Sequence, residues 1–176
     1  MPERFKYLTY ILFALIMCAA PQARAMEHIK QHVPDAQLVG QGRLSFLIWN
    51  IYDAQLYAPQ GRWEQGKPLA LKLSYLRSIT GKEITDSSIK EIRNQGINDQ
   101  QKLDRWYMQM GEIFPDVEKG EVLTGIYTNS GETIFYKDTK EIGRISKPAF
   151  GKAFFGIWLG EETSAPRLRR QLLGAP

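Results

Sequence analysis

Leu69, Leu71, Leu73 and Tyr75 alternate with Ala70, Lys72 and Ser74. That period of two, with polar partners, demands a strand with one buried face and one wet face. A few residues on, the period changes. Thr80-Gly81-Lys82-Glu83 reads as a capping box, and Ile84, Ser88, Ile89 and Ile92 then recur at helical spacing. Asn94-Gln95-Gly96 closes that helix with a left-handed cap. Asn98 is read as the cap of a second helix, with Leu103, Trp106, Tyr107, Met110 and Ile113 on its buried side and Pro115 as its stop. Strands return at Glu121 to Tyr127, Glu132 to Tyr136 and Ile142 to Ile145, the first two joined by a turn at Thr128 to Gly131. Pro148 opens another helix that ends at Gly160, and Arg167 to Leu173 forms a last short one. Upstream, Leu38 to Tyr57 is rich in aromatic and aliphatic residues and reads as strand, with Gly40 and Gly42 marking a bulge or twist. Strands, two helices, strands, helices: such segregated runs predict an α+β domain, with helices on one face of an antiparallel sheet.

The N-terminus carries a different kind of signal. Arg4 and Lys6 precede an uncharged, mostly apolar run from Tyr7 to Ala20, and Ala23-Arg24-Ala25 offers a small-x-small cleavage site. This three-part pattern predicts a secretory signal over residues 1–25 and a periplasmic location. The run falls short of the roughly 20 residues that a spanning helix needs. The only cysteine, Cys18, would leave with the signal; as a lipid anchor it lacks the small residue that should precede it, since Met17 is large. Residues 26–176 are then expected to form a single domain, with no repeat or long linker to divide them.

Charge and motifs exclude several classes. The full chain carries a formal charge of +4, and Arg4, Lys6 and Arg24 account for much of it. No basic block with interleaved aromatics occurs, so no nucleic-acid partner is expected. His28 and His32 are four apart but have only Asp35 nearby, which is an incomplete metal set; they read as a polar N-terminal arm. No Gly-x-Ser-x-Gly elbow, phosphate-cradling glycine loop or mature cysteine nucleophile is present, and no cofactor is expected.

What remains is a pocket. A sheet covered by helices can leave an apolar cleft between the layers, oriented by a few polar groups. Arg43 is the charged residue inside the first apolar strand region. Two readings stand: a guanidinium gripping a carboxylate or phenolate in the cleft, or an edge residue pointing to water.

Three stretches give the chain a family resemblance. They are Gly40-Gln41-Gly42-Arg43 with Ile51 to Tyr57, Thr80-Gly81 leading into a helix that ends near Asn94, and Gly143 and Ile145 through Ile157-Trp158-Leu159-Gly160 to Leu172-Leu173-Gly174. Together they resemble the chalcone isomerase-like family in its bacterial, exported branch. The resemblance implies an open-faced β-sandwich: a curved antiparallel sheet with helices packed on its face and a cleft between them. In plant enzymes of this fold the cleft cyclises a chalcone. Plastid relatives bind fatty acids through an arginine and a tyrosine.

Carried over by position, Arg43 matches the family's arginine. Tyr52 falls at a threonine of the plant enzymes, and Asn94 aligns with their asparagine. Ile84 falls at their catalytic tyrosine, and an isoleucine cannot donate a proton. The resemblance thus implies ligand binding by Arg43, Tyr52 and Asn94, with Tyr107 or Tyr127 as replacements for the missing hydroxyl. Three functions follow. One is a non-catalytic binder of a small amphipathic or aromatic acid, such as a fatty acid. Another is an intramolecular lyase of the chalcone isomerase type. The third is an envelope scaffold with peripheral membrane association, which Phe154, Phe155 and Trp158 could support, although the first reading of those rings is helical core. No oligomeric state is assigned.

Overall fold

The apolar stretch that opens the domain folds back on itself. In the computed structural model, which describes residues 26–174, it forms two strands, β1 (Ala36–Phe46) and β2 (Trp49–Pro59), rather than one. The reversal occurs at Leu47-Ile48, between the paired residues Phe46 and Trp49. No glycine, asparagine or proline marks it, which is why the sequence reads through it. The signal read over residues 1–25, with Cys18, lies outside the described residues.

Four more strands follow: β3 (Leu69–Tyr75), β4 (Val122–Tyr127), β5 (Thr133–Lys137) and β6 (Lys140–Ile145). All six form one antiparallel sheet whose spatial order is the chain order. The first described residues, 26–30, are helical and are called α1. Then come α2 (Gly81–Asn94), α3 (Gln100–Ile113), α4 (Pro148–Leu159) and α5 (Pro166–Leu172). This is the α+β architecture expected from the segregated periods, with the open sheet that the resemblance implied.

Local chemistry explains the helix ends. The Thr80 hydroxyl accepts from the Glu83 amide, and the Glu83 carboxylate accepts from the Thr80 amide, so the predicted capping box forms. The cap of α3 is Asp99, which accepts from the Lys102 amide, and not Asn98 one residue earlier. A carboxylate gains more than an amide from that end of the helix dipole. Pro148 and Pro166 occupy the first turns of α4 and α5.

The inner sheet face and helices α2 to α5 enclose the main core. Phe154 sits at its centre, 5.5 Å from Phe150, 5.2 Å from Phe135 and 5.4 Å from Trp158, between ring centroids. Phe154, Phe155 and Trp158 are all buried. They are therefore helical core, the first reading of these rings, and they have no exposed face to offer an envelope partner.

Gly40 and Gly42 have a second role besides the bulge beside Leu38. A methyl group at Gly40 would collide with the carbonyl oxygens of Gln171 and Leu172; one at Gly42 would collide with the Gln171 side chain and with Leu168. The glycines let α5 lie directly on β1.

On the outer sheet face a smaller apolar cluster forms. Ile29 and Val33 pack on Ala70, Ile126, Ile134 and Tyr136. The four-residue spacing does put His28 and His32 on one side, but not in a solvated arm. His28 is buried with its ring 4.7 Å from that of Tyr136, and the His32 Nε2 lies 3.0 Å from the Tyr136 hydroxyl.

Candidate functional site

A cleft of about 680 Å³ lies between the inner sheet face and helices α2 and α4. That volume falls in the range of small-molecule sites. Strand alternation builds its floor: Leu71, Leu73 and Tyr75 from β3, Tyr52 from β2, and Leu123 from β4 all face it. Phe135, Phe154 and Trp158 also line it, and their rings leave the cleft open. Ile84, Ser88 and Glu91 look down from α2.

Two phenols stand in this apolar setting. The Tyr52 hydroxyl accepts a hydrogen bond from the indole Nε1 of Trp158 at 2.8 Å. Burial raises the pKa of Tyr52 well above its ordinary value; the hydrogen bond from Trp158 works against this, and the nearby Glu91 carboxylate adds to it. The phenol therefore stays protonated. With its lone pair engaged by Trp158, its proton is the part left to donate. The ring of Tyr75 meets that of Tyr52 edge-on, at 5.8 Å. Burial likewise keeps Tyr75 protonated, and Tyr52 reinforces this. Two neutral donors in a dry wall suit an oxygen acceptor on a ligand.

The cation of the cleft is Arg77, not Arg43. Two residues past Tyr75, Arg77 keeps the inward phase of β3 as the strand ends, and it arrives exposed at the mouth. Its guanidinium carbon lies 5.5 Å from the centroid of the Trp49 ring, a cation–π geometry. Among the described residues no carboxylate forms an ion pair with it. Glu83, also at the mouth, is occupied by its own helix cap, whose hydrogen bonds from Thr80 hold its carboxyl below the usual range. Ser78 lines the mouth and donates to Glu118.

The three residues expected to bind ligand thus separate. Tyr52 is in the cleft. Arg43 is on the other side of the sheet, half exposed and bidentate to Asp53 at 2.6 and 2.9 Å. Its neighbours Gly42 and Leu44 hold the inward positions, so period-two geometry turns Arg43 outward. Asn94 is exposed in the last position of α2 and does not reach the cleft. Its successor Gln95 reaches across instead, donating to the Ala153 carbonyl at 3.0 Å and tying α2 to α4.

Neither proposed replacement hydroxyl enters. Tyr107 is partly exposed and donates to Asp86 at 3.0 Å, while Tyr127 packs in the core against Phe155 and Gly151. Tyr75 and Arg77 were the residues to find. Their signal was the alternation of β3 itself, which carried past its last leucine puts both on the inner face.

Comparison with known proteins agrees with this architecture. Residues 23–174 match the family model described as chalcone isomerase-like. An uncharacterized protein of Haemophilus influenzae is 28% identical over 139 residues, covering 78% of this chain and 68% of its own. The crystal structure of an Arabidopsis thaliana fatty-acid binding protein superposes with a TM-score of 0.62 at 9% identity, over 80% of this chain and 88% of that one.

Proposed function

This chain belongs to the chalcone isomerase-like family, and on that premise we propose that it binds a small amphipathic acid, such as a fatty acid or aromatic carboxylate, without converting it. The observation that carries this reading is the polarity of the cleft. An apolar floor leads to a mouth where Arg77 is the cation without an ion pair among the described residues. The hydrocarbon part of a ligand gains by leaving water, and its carboxylate meets a guanidinium and phenolic donors. The fold shared with a fatty-acid binding protein supports the same class of cargo.

Ile84 lines the cleft at the position where the resemblance puts a catalytic tyrosine in the plant enzymes. A hydrocarbon there supplies no proton, which favours holding over turnover. We further propose that the protein acts after export, on the strength of the leader pattern in residues 1–25.

The test is native mass spectrometry of protein isolated as the producing cell makes it, followed by titration of delipidated protein with long-chain carboxylates. A co-purified acid, or saturable one-to-one binding, is the expected result. Repeatedly empty spectra with no saturable binding would overturn the reading.

A further inference from the structure

We propose that the β1–β2 hairpin tip is a membrane-docking loop, which seats the mouth of the cleft on the interfacial zone of a lipid bilayer. Phe46, Leu47, Ile48 and Trp49 are 68%, 84%, 86% and 57% exposed. Four consecutive large apolar side chains therefore stand in water at the end of a two-stranded ribbon. Isolated exposed apolar residues need no explanation, but a contiguous set does.

The backbone adds a second observation. Leu47 has φ +54°, in the left-handed region. Asparagine and glycine are the residues that tight hairpins favour there, and an L side chain costs roughly 1–2 kcal/mol. Leucine is thus held in a strained conformation and buries nothing within the chain. Strain of this kind points to a contact outside the molecule.

The rungs of the hairpin say what that contact is. From the apex inward they run Leu47-Ile48, then Phe46 with Trp49, then Ser45 hydrogen-bonded to Asn50, and beyond these Arg43 paired with Asp53. Hydrocarbon, aromatic, hydroxyl and amide, ion: this is the polarity gradient of a membrane surface, with tryptophan at the headgroup level. At about 3.4 Å per residue, the apex stands roughly 7–10 Å beyond the Ser45–Asn50 rung, which matches interfacial insertion. Arg77, held against Trp49, lies where lipid phosphates would be.

A protein partner fits less well. A stable protein interface buries about 800 Å² per side, more than a narrow convex tip presents. Among the described residues no helix is long and apolar enough to cross a membrane. Because Ser45 and Phe46 also line the cleft, docking would open it at the lipid surface.

The experiment compares the wild type with a Leu47→Gly/Ile48→Ser double variant, both purified as the cell processes them. Flotation with vesicles of phosphatidylethanolamine and phosphatidylglycerol reads the binding. The variant puts glycine at the one turn position with positive φ, so its circular dichroism and melting temperature should be preserved or improved. Its vesicle affinity should fall by roughly tenfold or more. Brominated acyl chains should quench wild-type fluorescence, and Trp49→Phe should remove that quenching. Equal flotation of wild type and variant, or no Trp49-dependent quenching, would overturn the proposal. So would concentration-dependent self-association that the double variant abolishes, since a second copy would then be the occupant. Carboxylate titration in vesicle-free solution reports on the cleft separately, so either reading can fail alone.

Discussion

The indole Nε1 of Trp158 donates to the hydroxyl of Tyr52 at 2.8 Å, joining β2 to α4 across 106 residues of chain. Both side chains are buried. Removing either leaves the other with a polar atom deprived of its partner. Trp158→Phe or Tyr52→Phe should each destabilise by about 1–3 kcal/mol, measured by urea unfolding. The double variant should cost less than the sum, because the second substitution removes the orphan left by the first.

Arg77→Gln should weaken binding of a long-chain carboxylate by about tenfold, as expected for loss of one charge-assisted contact. Arg43→Gln should leave that affinity unchanged, because its guanidinium is engaged with Asp53 on the opposite face. Isothermal titration of the two variants side by side distinguishes the assignments. Equal losses would remove Arg77 from its special place.

The pH dependence of the N-terminal segment has a definite sign. Burial lowers the pKa of His28 below its ordinary 6.5, with the positive charges of Lys72 and His32 adding to the effect. The folded state therefore prefers the neutral ring. Its contribution to stability is fully present above 6.5 and is lost as pH falls below that value toward the depressed folded pKa. Hydrogen-exchange protection across residues 26–34, corrected for the intrinsic slowing of exchange in acid, should fall as pH drops from about 7 to about 5, with His28→Leu flattening the change. Tyr136, against which the ring packs, stays neutral over this window: a phenol's ordinary pKa is near 10, and burial raises this one.

Gly42→Ala should displace α5 from β1. The added methyl meets the ends of the Gln171 and Leu168 side chains, which can swing aside, and the Gln171 Cβ at 2.9 Å, which moves only with the helix. We expect a loss of about 1–3 kcal/mol, with reduced amide protection concentrated in Pro166–Leu172. Unchanged protection there would mean that the contact is not tight.

Much of the architecture was legible because it rests on periodicity. Leu69 to Tyr75 announces its two faces, and Thr80 with Glu83 announces a helix start; the structure has both. The hairpin reversal at Leu47-Ile48 was not legible, since its residues are strand formers that carry no turn chemistry. The site was only half legible. Tyr52 was found by position, whereas Arg43 was assigned to the cleft although its neighbours Gly42 and Leu44 occupy the inward phase. A shift of one residue moves a side chain through the whole thickness of the sheet. Arg77 was overlooked because it lies past the end of β3, where alternation persists but strand composition stops.

The helices α2 and α3 leave the sheet after β3 and return at β4, and those two strands are hydrogen-bonded neighbours. The part of the cleft's roof that α2 supplies is thus an insertion through a single seam, while α4 covers the rest from beyond β6. Its length, tilt and lining can drift over evolutionary time without re-threading a strand or breaking a ladder. Descendants of one platform can acquire different cargo simply by growing a different canopy.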